Sequence, residues 1–275
     1  MLKNNILKLI DESDSENKAL IKSLLIPSIG FKLGIKKASF YTSKIGGIPT
    51  IEKNIIPFFR ESPLTFIAQI DLSEISDMNN LFPKNGILYF FVNTLDLNNR
   101  IPDKNDEFKV LYVKDKPSIN ENFEYNYNSL EELPISFFEY FTLPSYQDAI
   151  ISNYNVTDEE LNIISEIEEN IFYSVSKNFE IPNHILGHPN ALQGTVKFWW
   201  AAKYLNINVN KKILESEMSE INKIQEDFVL LMQLNFGNPQ IKIDCFGDSI
   251  LYFGIHKEDL QSLNFKNAIL VLQNT

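Results

Sequence analysis

Several things are scarce in this chain, and each scarcity excludes something. Among 275 residues there is one cysteine, Cys245. A single thiol rules out an intrachain disulfide and suits a reducing compartment. The lone side chain reads as a small buried hydrophobe rather than a nucleophile. No apolar run approaches the roughly 20 residues of a membrane helix, so no membrane partner is expected. Residues 1–25 carry scattered charges and an acidic stretch at 11–16, where a secretory signal would have one apolar run. A cytoplasmic location is therefore expected. Basic residues are outnumbered, 25 Lys and Arg against 36 Asp and Glu, for a net charge of −11. Phosphate binding needs clustered Lys and Arg, so nucleic acid is not an expected partner. The charge favours solubility, and it leaves a basic protein as a complementary partner. There is no Pro/Gly/Ser-rich linker and no low-complexity tract, so residues 1–275 read as one domain.

Familiar catalytic signatures are also missing. No G-x-S-x-G elbow is present. Ser43 stands beside Lys44, but neighbours on an extended chain point apart and do not make a dyad. Gly46-Gly47 lacks the spacing of a phosphate loop or a dinucleotide fingerprint and reads as a tight turn. Histidines number three, and His184 and His188 fall in the polar segment 181–194. Four residues apart on a helix they would share a face, but Gly187 and Pro189 oppose a helix there and no Glu follows His184. No metal and no cofactor are expected.

What the chain has in abundance is apolar and aromatic material: 44% hydrophobic residues and 21 phenylalanines, enough for a large packed core. It also has an echo. Leu64-Thr-Phe-Ile-Ala-Gln-Ile-Asp-Leu72 is matched by Phe228-Val-Leu-Leu-Met-Gln-Leu-Asn-Phe236. Strand alternation puts Phe66 and Leu230 on one face, inward, and Gln69 with Asp71, or Gln233 with Asn235, on the other. Each copy continues through a turn (Asn85-Gly86, Asp248-Ser249) into a shared Ile-Leu-Tyr-Phe at 87–90 and 250–253. A further apolar stretch follows at 108–113 and 265–272. The expected fold is α+β and internally duplicated. Two related three-stranded units, at about 63–113 and 227–273, form a mainly antiparallel sheet core, with a helical insert at 114–226 and an N-terminal helix.

Smaller signals fill in the rest. Leu2–Leu25 reads as one broken helix or two short ones, ended by Pro27. Ile29, Phe31 and Leu33 alternate as a strand would. Residues 43–49 read as a loop. Thr157 with Glu160 forms a capping box, followed by Leu161, Ile164, Ile167, Ile171 and Val175 on one helix face. Glu166, Glu168 and Glu169 read as its solvated side. Trp199 and Trp200 sit in helical 195–205 and read as core. A helix over 211–227 turns Leu214, Met218 and Ile221 inward.

These motifs, in this order, resemble the YwqG-like family of bacterial proteins of unknown function. The resemblance rests on Ser43–Pro49, Pro63–Leu72, Gly86–Phe91, Phe108–Val113, Leu186–Gln193, Leu230–Leu234 and Ile250–Phe253. It runs from about residue 27 to the C-terminus, matches poorly at 114–180, and shows Ile56-Pro57 where the family usually has Trp-Pro. It implies an α+β fold with internal duplication and no established activity, cofactor or catalytic residue. The family looks similar to proteins encoded near bacterial toxin systems, and an immunity role has been proposed for some members.

Two functions from different classes are consistent with this sequence. The favoured one is a non-catalytic cytosolic binding protein, with toxin immunity as its specific form and a basic toxin domain as partner. The alternative is an enzyme or small-ligand binder whose site lies in a cleft between the halves, walled by Gln69, Asp71, His184, His188, Gln193 and Gln233. There the histidines would be the acid–base groups. For Gln69 and Gln233 themselves a structural role is favoured, since a buried amide ties a loop to a sheet.

Overall fold

The computed structural model of the protein describes residues 2–34, 40–95, 102, 106–116, 130–145, 147–148, 156–176, 180–242 and 246–274. Cys245 lies outside these residues. Helices α1 (Leu2–Glu12) and α2 (Lys18–Leu24) lead into strand β1 (Ile26–Leu33). The two-residue strand β2 (Lys44–Ile45) and a small hairpin, β3 (Phe58–Phe59) with β4 (Ser62–Pro63), precede β5 (Thr65–Asp71), β6 (Ile87–Val92) and β7 (Phe108–Val113). Next come β8 (Leu133–Thr142), α3 (Asp158–Ser176), β9 (Asn183–Ile185), α4 (Val196–Tyr204) and α5 (Glu215–Ile224). β10 (Phe228–Asn235), β11 (Ser249–His256), α6 (Lys257–Gln261) and β12 (Ile269–Asn274) follow.

Among the described residues ten strands form one sheet, in the order β12-β11-β10-β9-β1-β8-β2-β5-β6-β7, with antiparallel pairings. The order reads alike from either end. β5-β6-β7 forms one flank, β10-β11-β12 the other, and β1 pairs with β8 in the middle. The sheet curls nearly into a barrel, because its flanks meet across the core. Phe90 of β6 lies 5.0 Å from Phe253 of β11, and Tyr112 of β7 lies 5.4 Å from Phe265 (ring centroids). Each fully buried aromatic of this kind stabilises the closure by about 1.5–3 kcal/mol.

A bulge decides which residues face that core. β5 pairs regularly with β6 except between Phe66 and Ala68, and β10 with β11 except between Leu230 and Met232. The extra residue, Ile67 or Leu231, shifts the alternation by one. Ala68, Ile70, Met232 and Leu234 therefore face the barrel core, whereas Phe66 and Leu230 belong to the outer clusters. The expectation that Phe66 and Leu230 point inward is corrected by this one-residue slip.

Both outer faces are covered, by different means. In the first half Ile51, Ile56 and Leu64, from the stretch around the β3–β4 hairpin, cover Phe66, Tyr89 and Phe91. In the second, α4 lays Trp200 over Leu230, Tyr252 and Val271. It approaches so closely that a Cβ on Gly254 would fall 2.4 Å from the Trp200 indole. α1, α2 and α3 cover Tyr140 and Phe141 of β8.

α3 starts as its sequence dictates. Thr157 Oγ1 accepts from the Glu160 N–H at 3.2 Å, and Glu160 accepts from the Thr157 N–H at 2.9 Å. Ile164, Ile167 and Ile171 form its buried face.

Three local expectations change. Residues 44–45, read as loop, form β2, which bridges β5 and β8. The segment 114–226 is not a purely helical insert: it supplies β8 and β9, two of the sheet's central strands. On α5 only Ile221 is buried, and Leu214 (59%) and Met218 (37%) are exposed. The helix begins at Glu215, so Leu214 is its cap rather than part of the inward stripe.

Candidate functional site

The polar residues singled out from the sequence divide between the two flanks. In the first half Gln69 is fully buried. Its Oε1 accepts from the Thr50 N–H and hydroxyl, both at 3.0 Å, and its Nε2 donates to the Thr42 carbonyl at 2.9 Å. The Tyr89 hydroxyl donates to the Thr50 carbonyl, and Ser43 Oγ accepts from the Asp71 N–H at 2.9 Å.

The second half makes the same set of bonds. Gln233, also fully buried, accepts from the Asn190 N–H at 2.8 Å and donates to the Pro182 carbonyl at 3.1 Å. The Tyr252 hydroxyl donates to the Asn190 carbonyl at 2.6 Å, and Asn183 Oδ1 accepts from the Asn235 N–H at 2.7 Å. Lys44 pairs with Gln69 in register as His184 does with Gln233. Residues 42–50 and 182–190 thus do one job twice: each wraps over a bulged strand and is pinned by its glutamine. Gly47 (φ +71°) and Gly187 (φ +85°) make the turn in backbone geometry that L side chains rarely adopt. The shared Ile-x-Gly-x-Pro at 45–49 and 185–189 was a readable signal of this match.

Where the halves differ, the second carries imidazoles. His184 is fully buried where the first half has Lys44, itself buried and paired with Glu132 at 2.9 Å. Its Nδ1 lies 2.8 Å from the Leu186 carbonyl and 3.1 Å from Ser28 Oγ, and its Nε2 lies 3.2 Å from Asn190 Oδ1. Asn190 Oδ1 also accepts from Gln233 Nε2 at 2.9 Å, and Asn190 Nδ2 donates to Glu168 of α3 at 2.7 Å. Glu168, expected on the solvated side of its helix, is half-buried and turned to the sheet. Burial, with the neighbouring Asp148 charge, pushes its carboxyl up to about 7 despite the Asn190 bond. Burial depresses His184 to about 4. Both ring nitrogens of His184 face acceptors, yet a neutral ring carries one proton; an imidazolium would satisfy both, and burial opposes it.

His188 stands where the first half has Ile48, which is 40% exposed, and is itself 3% exposed. Its N–H donates to Thr142 Oγ1 at 2.8 Å, its Nε2 lies 3.0 Å from the Leu24 carbonyl, and its Nδ1 lies 3.8 Å from buried Asp148. Burial, then the nearby Lys197 charge, lowers it to about 3. The Tyr140 hydroxyl, fully buried beneath α3, has no hydrogen-bond partner among the described residues.

The six predicted wall residues therefore do not converge. The structure joins His184 to Gln233 through Asn190, with His188 on the same turn. Asp71 belongs to the other flank, where it accepts from Ser73 and from the Lys116 ammonium at 2.9 Å. Burial works to raise the Asp71 carboxyl, but these bonds outweigh it and hold the group below its usual range. Gln193 is exposed, and it borders a cavity of about 330 Å³ with Trp199, Lys203, Val209 and Gln273. Between the halves, the core is filled by Phe90 and Phe253. Ser28, Tyr140, Asp148 and Asn190 were not among the predicted wall residues, and Glu168 was assigned to the solvated side of its helix. For Glu168 a signal existed: it lies four residues after Ile164 and three before Ile171, both on the buried face.

Among the described residues no group of three or more His, Cys, Asp and Glu side chains could hold a metal ion. No helix among them is long and apolar enough to cross a membrane. No curated protein matches the chain. A family model does match residues 43–273, which include both glutamine-pinned turns and both flanks of the sheet, and by that match the chain belongs to the family described as a domain of unknown function, DUF1963.

Proposed function

We propose that this protein is a non-catalytic cytoplasmic binding protein whose partner is a basic protein, and that toxin immunity, the neutralisation of a basic toxin domain, is the specific form of that role. The observation that carries this reading is α3. Its 19 residues hold six acidic side chains (Asp158, Glu159, Glu160, Glu166, Glu168 and Glu169) and no basic one. Asp158, Glu159, Glu166 and Glu169 are exposed, the last two within two turns of Tyr173, which is 46% exposed. Such a face steers a cationic partner and offers an aromatic contact. The fate of the polar residues supports the same reading: Gln69 and Gln233 are spent on loop backbone, and His184 and His188 are sealed from solvent.

The wider reading is that the two halves are copies of one unit, as expected of the YwqG-like family. Matching bulges, glutamines, tyrosines and Ile-x-Gly-x-Pro turns support it, and they extend each unit to include the 42–50 and 182–190 segments. The test of function is protection. The chain is co-expressed with toxins encoded in the same host and growth is scored, alongside binding measured at low and high salt. Rescue with salt-sensitive binding is the expected result. Failure to rescue or bind any of them removes the reading.

A further inference from the structure

The sheet has a notch. On one side β8 is paired along 135–142 with β1. On the other side β2 covers only Leu133 and Pro134, and the Ser43 carbonyl accepts from the Ile135 N–H at 3.1 Å. Beyond Ile135 no strand is paired to that edge among the described residues. The gap opens as a cavity of about 230 Å³ between β8 and the stretch following β5, lined by Ile29, Glu74, Met78, Phe137, Phe138 and Glu139.

Its chemistry is unlike that of its surroundings. Two carboxylates and two half-buried phenyl rings line it, with a thioether at the rim (Met78 is 42% exposed), and no cation is among the lining residues. Glu74 accepts from the Ser43 N–H at 3.0 Å, which fixes its carboxylate in place. The aromatic wall already attracts a cation: the Lys32 ammonium stands 5.5 Å from the Phe138 ring centroid. The Phe138 ring lies across Gly30, where a Cβ would come within 2.3 Å of it, so the ring is held by a strand partner that has no side chain. The volume is below the roughly 300–1,000 Å³ of sites for whole small-molecule ligands, and suits one long side chain.

We propose that this notch is the anchor pocket for an arginine side chain of the basic protein partner. Arginine fits better than lysine because its planar guanidinium stacks on phenyl faces while forking onto carboxylates, and buried arginines are frequent anchors at interfaces. The identity of the partner rests on the reading of function above; the pocket does not.

The experiment uses the full chain with N-acetyl-arginine amide as probe and N-acetyl-citrulline amide as its uncharged isostere, followed by NMR at the Met78 methyl. Arginine amide should bind saturably, weakly as expected for so small a ligand, with a Kd on the order of millimolar. Citrulline amide should leave the methyl unmoved. Glu139→Gln, at an exposed position, should weaken arginine binding about threefold without altering the melting temperature. Equal responses to both probes, no response, or an unaffected Glu139→Gln variant would overturn the proposal. Arginine amide that binds here while no basic protein is bound or neutralised leaves the pocket standing and removes the reading of function. A basic protein partner held equally well by wild type, Glu139→Gln and Met78→Lys, which puts a cation at the rim, does the reverse.

Discussion

Replacing Gln69 or Gln233 by methionine separates a structural from a functional role for these amides. Methionine keeps the length and most of the volume, so packing changes little. The hydrogen bonds are lost. In the first half the Thr50 N–H and hydroxyl and the Thr42 carbonyl lose their Gln69 partner. In the second, the Asn190 N–H and the Pro182 carbonyl lose Gln233. Each buried group left unpaired costs roughly 1–3 kcal/mol, offset in part by no longer burying the amide itself. The expected loss is about 2–5 kcal/mol per substitution. That is large against the roughly 5–15 kcal/mol of a typical domain, yet compatible with folding. Urea denaturation with a constant slope reads it directly. The two sites share no hydrogen-bonding residue, so the double variant should lose the sum to within about 0.5 kcal/mol. A loss below about 1 kcal/mol, or a gain in stability, would refute the reasoning. A gain is what removal of a polar group held ready for a ligand tends to produce.

Stability should peak near pH 6.5–7. His184 and His188, held neutral near 4 and 3 against an ordinary 6.5, contribute stability that is present above pH 6.5 and lost as pH falls toward those values, on the order of 3 and 5 kcal/mol respectively. Glu168, raised from about 4.5 to about 7, acts in the opposite sense: the folded state keeps its proton longer, and the associated stability falls as pH rises from 4.5 through 7. Glu168→Gln still accepts from Asn190 and should be the more stable protein at pH 8 but not at pH 4.5; urea melts at pH 4.5, 6.5 and 8 that show no crossover would count against the Glu168 geometry. Gly254→Ala places a Cβ 2.4 Å from an indole with no exposed surface, so it should cost about 1–3 kcal/mol through displacement of Trp200, read as a lowered melting temperature and an altered Trp fluorescence spectrum; wild-type behaviour would mean α4 packs more loosely than this.

Much of the sheet was legible because its strands carry strong local signals. β5 and β10 echo each other residue by residue, and β6 and β11 share Ile-Leu-Tyr-Phe. The bulges were not legible. One extra residue leaves an apolar string apolar, and since both faces of these strands are buried, no polar row marks the slip. β8 was hidden for a related reason. It runs between the barrel core and the helical cover, so Leu133–Thr142 shows little alternation, and Phe137 and Phe138 are both needed. Leu214 and Met218 followed helical spacing and still ended exposed, because spacing identifies a stripe but not whether anything lies against it.

The candidate site was harder to read because its members come from separate elements. Ser28 on β1, Tyr140 on β8, Glu168 on α3 and Asn190 after β9 are brought together only by the crossed arrangement in which β1 pairs with β9 and β8. The six residues chosen from the sequence were chosen for polarity, and polarity selected two kinds of group. Gln69 and Gln233 occupy matched positions and do matched work, so their recurrence reflects a demand of the fold. His184, His188 and Asn190 occupy positions that match Lys44, Ile48 and Thr50 and differ from them in chemistry. The pinned turn is satisfied by either set of residues. The fold therefore does not explain why one flank carries two buried imidazoles and an amide reaching Glu168, and that asymmetry distinguishes the flanks more sharply than the shared glutamines do.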